Sequence, residues 1–483
     1  MKTIYKTIFI ATAMIFLASC GNDWLNVLPS NRIETSVSIT TITDARSAIN
    51  GVYYQMQRSS YYGGRMSWYA DVRGDDMRNH GNSSTRSGAT YRYDYLETNV
   101  PTALWDQPYT VIRLANNILE LIDNIEVMPS EEAERDFIKG EAFMARALAH
   151  FDICRVYGYP YTKDNGASLG ACIVTTPIEA DAKPARNTVA ECYDQVIIPD
   201  LLAAIPLLSD NRTASRGRFN RWAAKLLLSR VYLYKDDNAN ALREAEECIT
   251  GAETAGFALY TNENYLAQWQ TKYSTESLYE IVNITGQNTG ADGIPNWCAA
   301  NSTNAYHELG LTQSFFDLLS ADPDDARLQL LRKGVNYPNS FDAFILKYTN
   351  GGSVAQESNV TVYRLSEAYL IVAEAAAKLG NQNAKALQYL NAIVSRANPA
   401  NSVEGTVTPE MVLEERRKEL FGEGHRAFDL LRNNMTIYRT GNDHSTLLED
   451  FARVIDRNNY RCILPIPIRE RETNPNIVQI QGY

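Results

Sequence analysis

Apolar residues recur every three to four positions along much of this 483-residue chain, a spacing that lines one face of an α-helix. Ile42 to Arg58 carries the pattern. Leu104 to Ile125 carries it through Leu104, Ile112, Leu114, Ile118, Leu119 and Ile122. Glu132 to Tyr157 is longer, and Ala142, Ala145, Ala147, Leu148 and Ala149 give it a small-residue face that another helix can approach closely. These stretches predict amphipathic helices and a mainly α chain.

Part of the pattern repeats. In Trp222 to Tyr234, Leu228, Ser229 and Tyr232 are followed by Ala241, Ala245 and Cys248, the alternation of large, small and aromatic positions found in a tetratricopeptide helix pair. Glu367 to Ala397 repeats it more loosely, with Ala368, Leu370, Ala373 and Glu374, then Ala386, Leu390 and Ile393 after a turn at Gly380-Asn381. Glu141 to Tyr157 with Val189 to Leu208 reads as a third pair, split by an insertion from Gly158 to Thr188. Alanine-rich helices can share this spacing by chance. Such pairs cannot bury their apolar faces alone, so the expected architecture is a helical-repeat superhelix. The pairs fall at about 132–250 and 360–432 in a single domain spanning 39–483.

Between them, Thr254 to Asn359 is rich in Tyr, Asn, Gly and Ser, is interrupted by Pro295, Pro323 and Pro338, and has one strand-like run, Ser277 to Val282. A non-periodic stretch of that length usually serves function. It is expected to build a loop-rich ligand surface on the helical scaffold.

The first residues follow another rule. Lys2 and Lys6, an apolar run from Ile8 to Leu17, and Leu17-Ala18-Ser19-Cys20 form a cleavable signal peptide (1–19) ending in a lipoprotein cleavage site. Cys20 is the expected lipid attachment point, and 20–38 the tether, docking by Trp24 and Leu25. Several acyl chains anchor durably, since each buried CH₂ contributes about 0.8 kcal/mol. Gly21, in place of Asp, lacks the usual inner-membrane retention signal. No later run approaches the roughly 18 apolar residues of a membrane-spanning helix.

Charge and cysteines narrow the function. Loss of Lys2 and Lys6 makes the mature chain still more acidic than the −11 of the full sequence, which argues against nucleic acid as a partner. Cys154, Cys172, Cys192, Cys248, Cys298 and Cys462 are scattered without metal-ligand spacing, and contexts such as Phe151-Asp-Ile-Cys154 suggest buried free thiols. No HExxH, GxSxG, P-loop or EF-hand pattern is present, so no catalytic residue, metal or cofactor is expected. Gly422-Glu-Gly-His-Arg-Ala427 fits a dinucleotide fingerprint only on paper, because the segment before it is charged and helical rather than a strand. Its glycines read as a turn, and Glu415, Arg416, Arg417, Glu419, Arg426 and Asp429 as structural ion-pair formers. Adjacent acids such as Asp75-Asp76 and Asp324-Asp325 read as turn or cap residues rather than as a hydrolase pair.

Aromatic enrichment is more informative. Tyr53, Tyr54, Tyr61, Tyr62, Trp68 and Tyr69 lead into Asp71-Val-Arg-Gly-Asp-Asp76, and Tyr91, Tyr93 and Tyr95 follow in a polar context. Trp297, Asn301 and Tyr306 offer the same chemistry from the non-periodic segment. Aromatic rings stack on the C–H faces of sugars, while Arg, Asp and Asn serve the hydroxyls. Most of these tyrosines are expected to pack against helices. The candidate ligand-binding residues are Trp68, Tyr69, Arg73, Asp75, Trp297 and Tyr306.

Several motifs, in order, resemble the SusD/RagB family of outer-membrane nutrient-binding lipoproteins. They are Trp105-Asp-Gln-Pro-Tyr109 with Asn116-Asn117; Gly140-Glu-Ala-Phe-Met-Ala-Arg146 with Arg155-Val-Tyr-Gly-Tyr-Pro160; and Glu276-Ser-Leu-Tyr-Glu-Ile281. Arg364-Leu-Ser-Glu367, Glu414 through Arg426 with Phe428-Asp-Leu430, and Leu464-Pro-Ile-Pro467 with Asn474-Pro475 complete the series. The resemblance implies a tetratricopeptide-based α fold and a surface-exposed, lipid-anchored receptor. Such a receptor passes oligosaccharides, or in RagB-like members peptides, to a SusC-like TonB-dependent transporter. The RagB-like peptide reading draws on Ala368-Tyr-Leu-Ile-Val372 and Gly422-Glu-Gly-His-Arg426. A scaffold that holds the transporter without any small ligand is a third reading.

Overall fold

A capping box starts the first described helix, Ile42–Gln57: Thr41 Oγ1 accepts from Asp44 N at 3.1 Å, and the Asp44 carboxylate accepts from Thr41 N at 2.9 Å. The computed structural model describes residues 39–80, 86–298, 306–333, 343–439, 443–445 and 448–483. Cys20, the leader, the tether with Trp24 and Leu25, and Asn301 lie outside them.

The long periodic stretches are helices. Ala103–Leu121 ends in a 3₁₀ turn at Ile122–Asn124, and Glu132–Tyr157 packs on it. The Arg146 guanidinium joins three segments, reaching Asn116 Oδ1 at 2.8 Å, Thr175 O at 2.6 Å and both Asp200 oxygens at 2.7 Å. The return helix is broken into Val189–Cys192, a π turn at Tyr193–Ile197, and Ile198–Leu207. The Gly158–Thr188 insertion is gathered by Arg186, which donates to the carbonyls of Tyr157, Leu169 and Gly170 at 2.7 to 2.8 Å.

The tetratricopeptide-like pairs form where the large-small pattern places them. Arg221–Tyr234 packs against Asn238–Thr254, with Leu228, Ser229, Ala241, Ala245 and Cys248 fully buried. Gly251 is required there, because a Cβ at that position would lie 2.1 Å from the Trp222 ring. Leu365–Leu379 and Asn383–Ala397 form the next pair, turned by Gly380 at φ 74°. Arg230 and Glu367, both buried, pair between the two units, with Arg230 Nε 2.7 Å from Glu367 Oε1. The fold is mainly α and tetratricopeptide-like.

The 254–359 segment holds more strand than its one strand-like run predicts. Ser277–Ile281 pairs antiparallel with Val360–Arg364. Leu309–Leu311 pairs with Met77–Asn79, and Leu331–Lys333 with Ala343–Ile345. The last four of these strands are three residues long, too short for an alternation to stand out in sequence.

This segment is joined to the helical scaffold by buried charge. Arg364, which ends its strand, reaches Glu276 at 3.0 Å, Glu419 at 2.6 Å and Glu423 at 2.7 Å. Arg396 pairs with Glu276 at 2.8 Å and Glu419 at 2.7 Å, and Arg327 with Glu415 at 2.6 Å. Lys347 Nζ donates to Glu423 at 2.5 Å and to the Glu419 carbonyl at 2.8 Å. Burial alone would raise the Glu419 carboxyl pKa, but Arg396, Arg364 and Arg327 together hold it well below the ordinary value. Beside this network burial likewise opposes ionisation of Glu374, yet Arg432 brings its pKa down to about 2.

Two expectations follow from this geometry. Glu419→Ala leaves buried guanidiniums without their shared carboxylate and should cost about 3–5 kcal/mol, read from urea unfolding. For pH, Glu374 titrates at about 2 in the folded chain and near about 4.3 when unfolded. Its stabilisation is complete above the unfolded value and is lost as the pH falls towards 2. Glu374's contribution should therefore be constant from pH 7 to about 5 and shrink below about 4, read as a gap in urea midpoint between the native chain and Glu374→Gln that narrows over that range.

Candidate ligand-binding site

Four of the six predicted residues are core. Trp68, on the Arg65–Val72 helix, and Trp297, on Ile294–Cys298, each keep 1% exposure. Their rings lie 4.9 Å apart at 40°. They meet, but only each other: neither offers a face to a ligand. Tyr69 is 5.8 Å from Phe428, and Arg73 stacks over Tyr93 at 3.9 Å and donates to the Arg461 carbonyl. These correct the expectation of an open aromatic platform. The apolar periodicity of the flanking helices carries the rings inward.

Asp75 is also committed. Its carboxylate takes a two-point pair with Arg426, at 2.7 and 3.0 Å, and Asp76 pairs with Arg417 at 2.5 Å. Asp71 accepts from Gly424 N at 2.5 Å, with burial pushing its carboxyl up to about 7. Gly424 needs its glycine on two counts, φ at 82° and a Cβ that would lie 2.7 Å from the Ser67 carbonyl. The Asp71–Asp76 turn is thus docked onto the Gly422–Arg426 turn.

Tyr306 is different. It keeps 41% exposure, and the Arg86 guanidinium lies 3.9 Å over its ring. Arg86 Nε donates to the exposed Asp292 carboxylate at 2.5 Å, a bond that keeps the guanidinium charged. Sequence reading missed Arg86 and Asp292, because both sit in polar, Gly- and Ser-rich stretches with no period or motif to mark them.

What holds these exposed groups is buried. Glu308 accepts from Ser87 N at 2.6 Å, Ser87 Oγ at 2.5 Å and Asn79 Nδ2 at 3.2 Å. Its own backbone closes on both sides, N to the Trp297 carbonyl at 3.1 Å and O from His80 N at 2.8 Å. The residue before Ser87 is Arg86 and the second before Glu308 is Tyr306, so one carboxylate sets the register of both. Tyr306 N adds a bond to the Asn296 carbonyl at 2.6 Å. The stacked tryptophans lie beneath, fixing the two loops against each other.

Chemically, the face presents an aromatic surface beside a forked donor and a carboxylate acceptor. That set suits a ring with C–H faces and hydroxyls. Among the described residues no cluster of three or more His, Cys, Asp or Glu is placed to share a metal ion. A cleft of about 450 Å³ runs between the Ala103–Leu121 helix and the 172–184 segment. Its Trp105 is 2% exposed and its Tyr109 hydroxyl accepts from Cys172 N at 2.7 Å, so it offers no free stacking ring.

The two classes of aromatic should separate on mutation. Trp68→Ala should cost about 3–5 kcal/mol of stability, whereas Tyr306→Ala should stay within about 0.5 kcal/mol. Chemical unfolding of both variants reads the difference.

Comparison with known proteins agrees with this architecture. Residues 23–233 match a family described as starch-binding and associating with the outer membrane, and residues 328–483 match the SusD family. A SusD superfamily structure from Bacteroides vulgatus is 38% identical with a TM-score of 0.86, covering 92% of this chain and 100% of that one. The starch-binding protein SusD of Bacteroides thetaiotaomicron is 30% identical over 78% of each chain. SusD-like protein P2 of Formosa agariphila is 25% identical over 98% of each. The chain belongs to the SusD/RagB family.

Proposed function

We propose that this protein is a carbohydrate-binding receptor of the outer membrane, anchored by lipid on Cys20 and exposed at the cell surface. It captures an oligosaccharide on the Tyr306 face and delivers it to a SusC-like TonB-dependent transporter. The observation that carries the reading is the Tyr306 ring, exposed and framed by Arg86 and Asp292. The starch-binding relative supports the ligand class. The matched family description supports the outer membrane as the location. Among the described residues no helix is long and apolar enough to cross a membrane; the lipid on Cys20 is the proposed attachment. The protein acts by binding, with no chemical step assigned to it.

Affinity electrophoresis through gels containing starch, laminarin or mannan tests the reading. One of these should retard the protein, and Tyr306→Ala should weaken that retention about tenfold, the scale of one aromatic stacking contact. Binding of peptides with no retardation by any glycan would replace the carbohydrate reading with peptide capture.

A further inference from the structure

A second concavity, of about 760 Å³, lies among residues 159–163, 456–460 and 481–482, away from the Tyr306 face in sequence. It shares no residue with that face. Tyr159, Lys163, Asp456, Asn458, Tyr460 and Gln481 line it. Its two principal turns are pinned together: Arg457 Nη1 donates to the Thr162 carbonyl at 3.0 Å, and Thr162 Oγ1 to the Arg432 carbonyl at 2.6 Å. Asp456 Oδ1 accepts from Asn458 N at 2.7 Å and Asn459 N at 3.1 Å, which fixes the backbone turn that carries Asn458. Tyr460 rests edge-on against Tyr483 at 4.8 Å. Gly482 makes that contact feasible, since its φ is 112° and a Cβ there would lie 2.5 Å from the Tyr460 ring.

This rigid frame displays unspent chemistry. The Tyr159 and Tyr460 hydroxyls, the Asn458 and Gln481 amides and the Lys163 ammonium have no hydrogen-bond partner among the described residues. Lys163 instead sits 3.1 Å over the Tyr159 ring. None of the eight lining residues has an aliphatic side chain, so the site lacks the apolar pockets that read peptide side chains. One lysine and one aspartate leave it without net charge to recruit a polyanion. Two phenol rings with amide donors and acceptors around them match a neutral, hydroxyl-rich chain.

We propose that this concavity is a second carbohydrate-binding site, which holds a neutral oligosaccharide stretch outside the Tyr306 face. It rests on the glycan reading above for the choice of probe. Two sites on one receptor raise retention of a polymer well beyond that of a short oligosaccharide, because the second contact becomes intramolecular.

Calorimetry with maltoheptaose, laminarihexaose and mannohexaose, and affinity gels with starch, laminarin and mannan, test the proposal on the full-length protein. Asn458→Ala combined with Gln481→Ala removes exposed amides and spares the frame; Tyr460→Ala is the companion variant. The expected result is two oligosaccharide sites in the native chain and one in the double variant, with retention on the matching polysaccharide about tenfold weaker. The remaining site should then vanish with Tyr306→Ala. A single site that is lost in Tyr306→Ala and unchanged in the double variant overturns the second site alone. Binding lost in the double variant but intact in Tyr306→Ala upholds it and overturns the Tyr306 reading. No binding of any probe overturns both.

Discussion

Buried charge is the constraint on which this fold turns. Glu419 pairs with guanidiniums that arrive from different parts of the chain: Arg364 at the end of a strand, Arg396 at the end of a repeat helix, and Arg327 in the loop-rich segment. Removing a charge from water is costly, and only close, multiply bonded partners offset it. The network therefore forms when all these segments arrive together. The repeat helices supply apolar burial, but apolar burial is non-directional. The carboxylates and arginines fix which face of the helical scaffold receives the irregular segment.

From that junction the ligand face is built outward. The Gly422–Arg426 turn leaves the network and receives Asp71, Asp75 and Asp76, which seats the N-terminal loops. The Trp68–Trp297 contact and the Glu308 clamp then align the segments that carry Arg86 and Tyr306. The exposed candidate groups sit on the ends of loops whose roots are buried, which keeps an exposed aromatic in place without embedding it in the core.

The helices and the family were legible in the sequence, and which of the candidate aromatic and polar residues stay exposed largely was not. Period-3.6 spacing located Glu132–Tyr157 with the bounds it has in the structure. The motifs behind the family resemblance supply the buried charges Glu276, Arg364, Glu367, Glu415 and Glu419, with the partly buried Glu423 and Arg426 beside them. They report what holds the fold together rather than what the fold binds. Aromatic residues beside polar loops looked alike on paper, yet Trp68 and Trp297 point inward and only Tyr306 among the six stays substantially exposed. Exposure depends on where strands of three residues turn the chain, and so short an element leaves no periodic signal. Arg86 and Asp292 come together from positions 206 residues apart, which no local pattern encodes.

Tyr306 is the ring on which the proposed sugar rests, and a crystal structure of the protein with a bound oligosaccharide tests this most directly. The expected result is a pyranose ring stacked on Tyr306, with Arg86 and Asp292 on its hydroxyls and the Trp68–Trp297 pair undisturbed. A sugar bound elsewhere with Tyr306 left in solvent, or one that reaches Trp68 by opening the core, would contradict it.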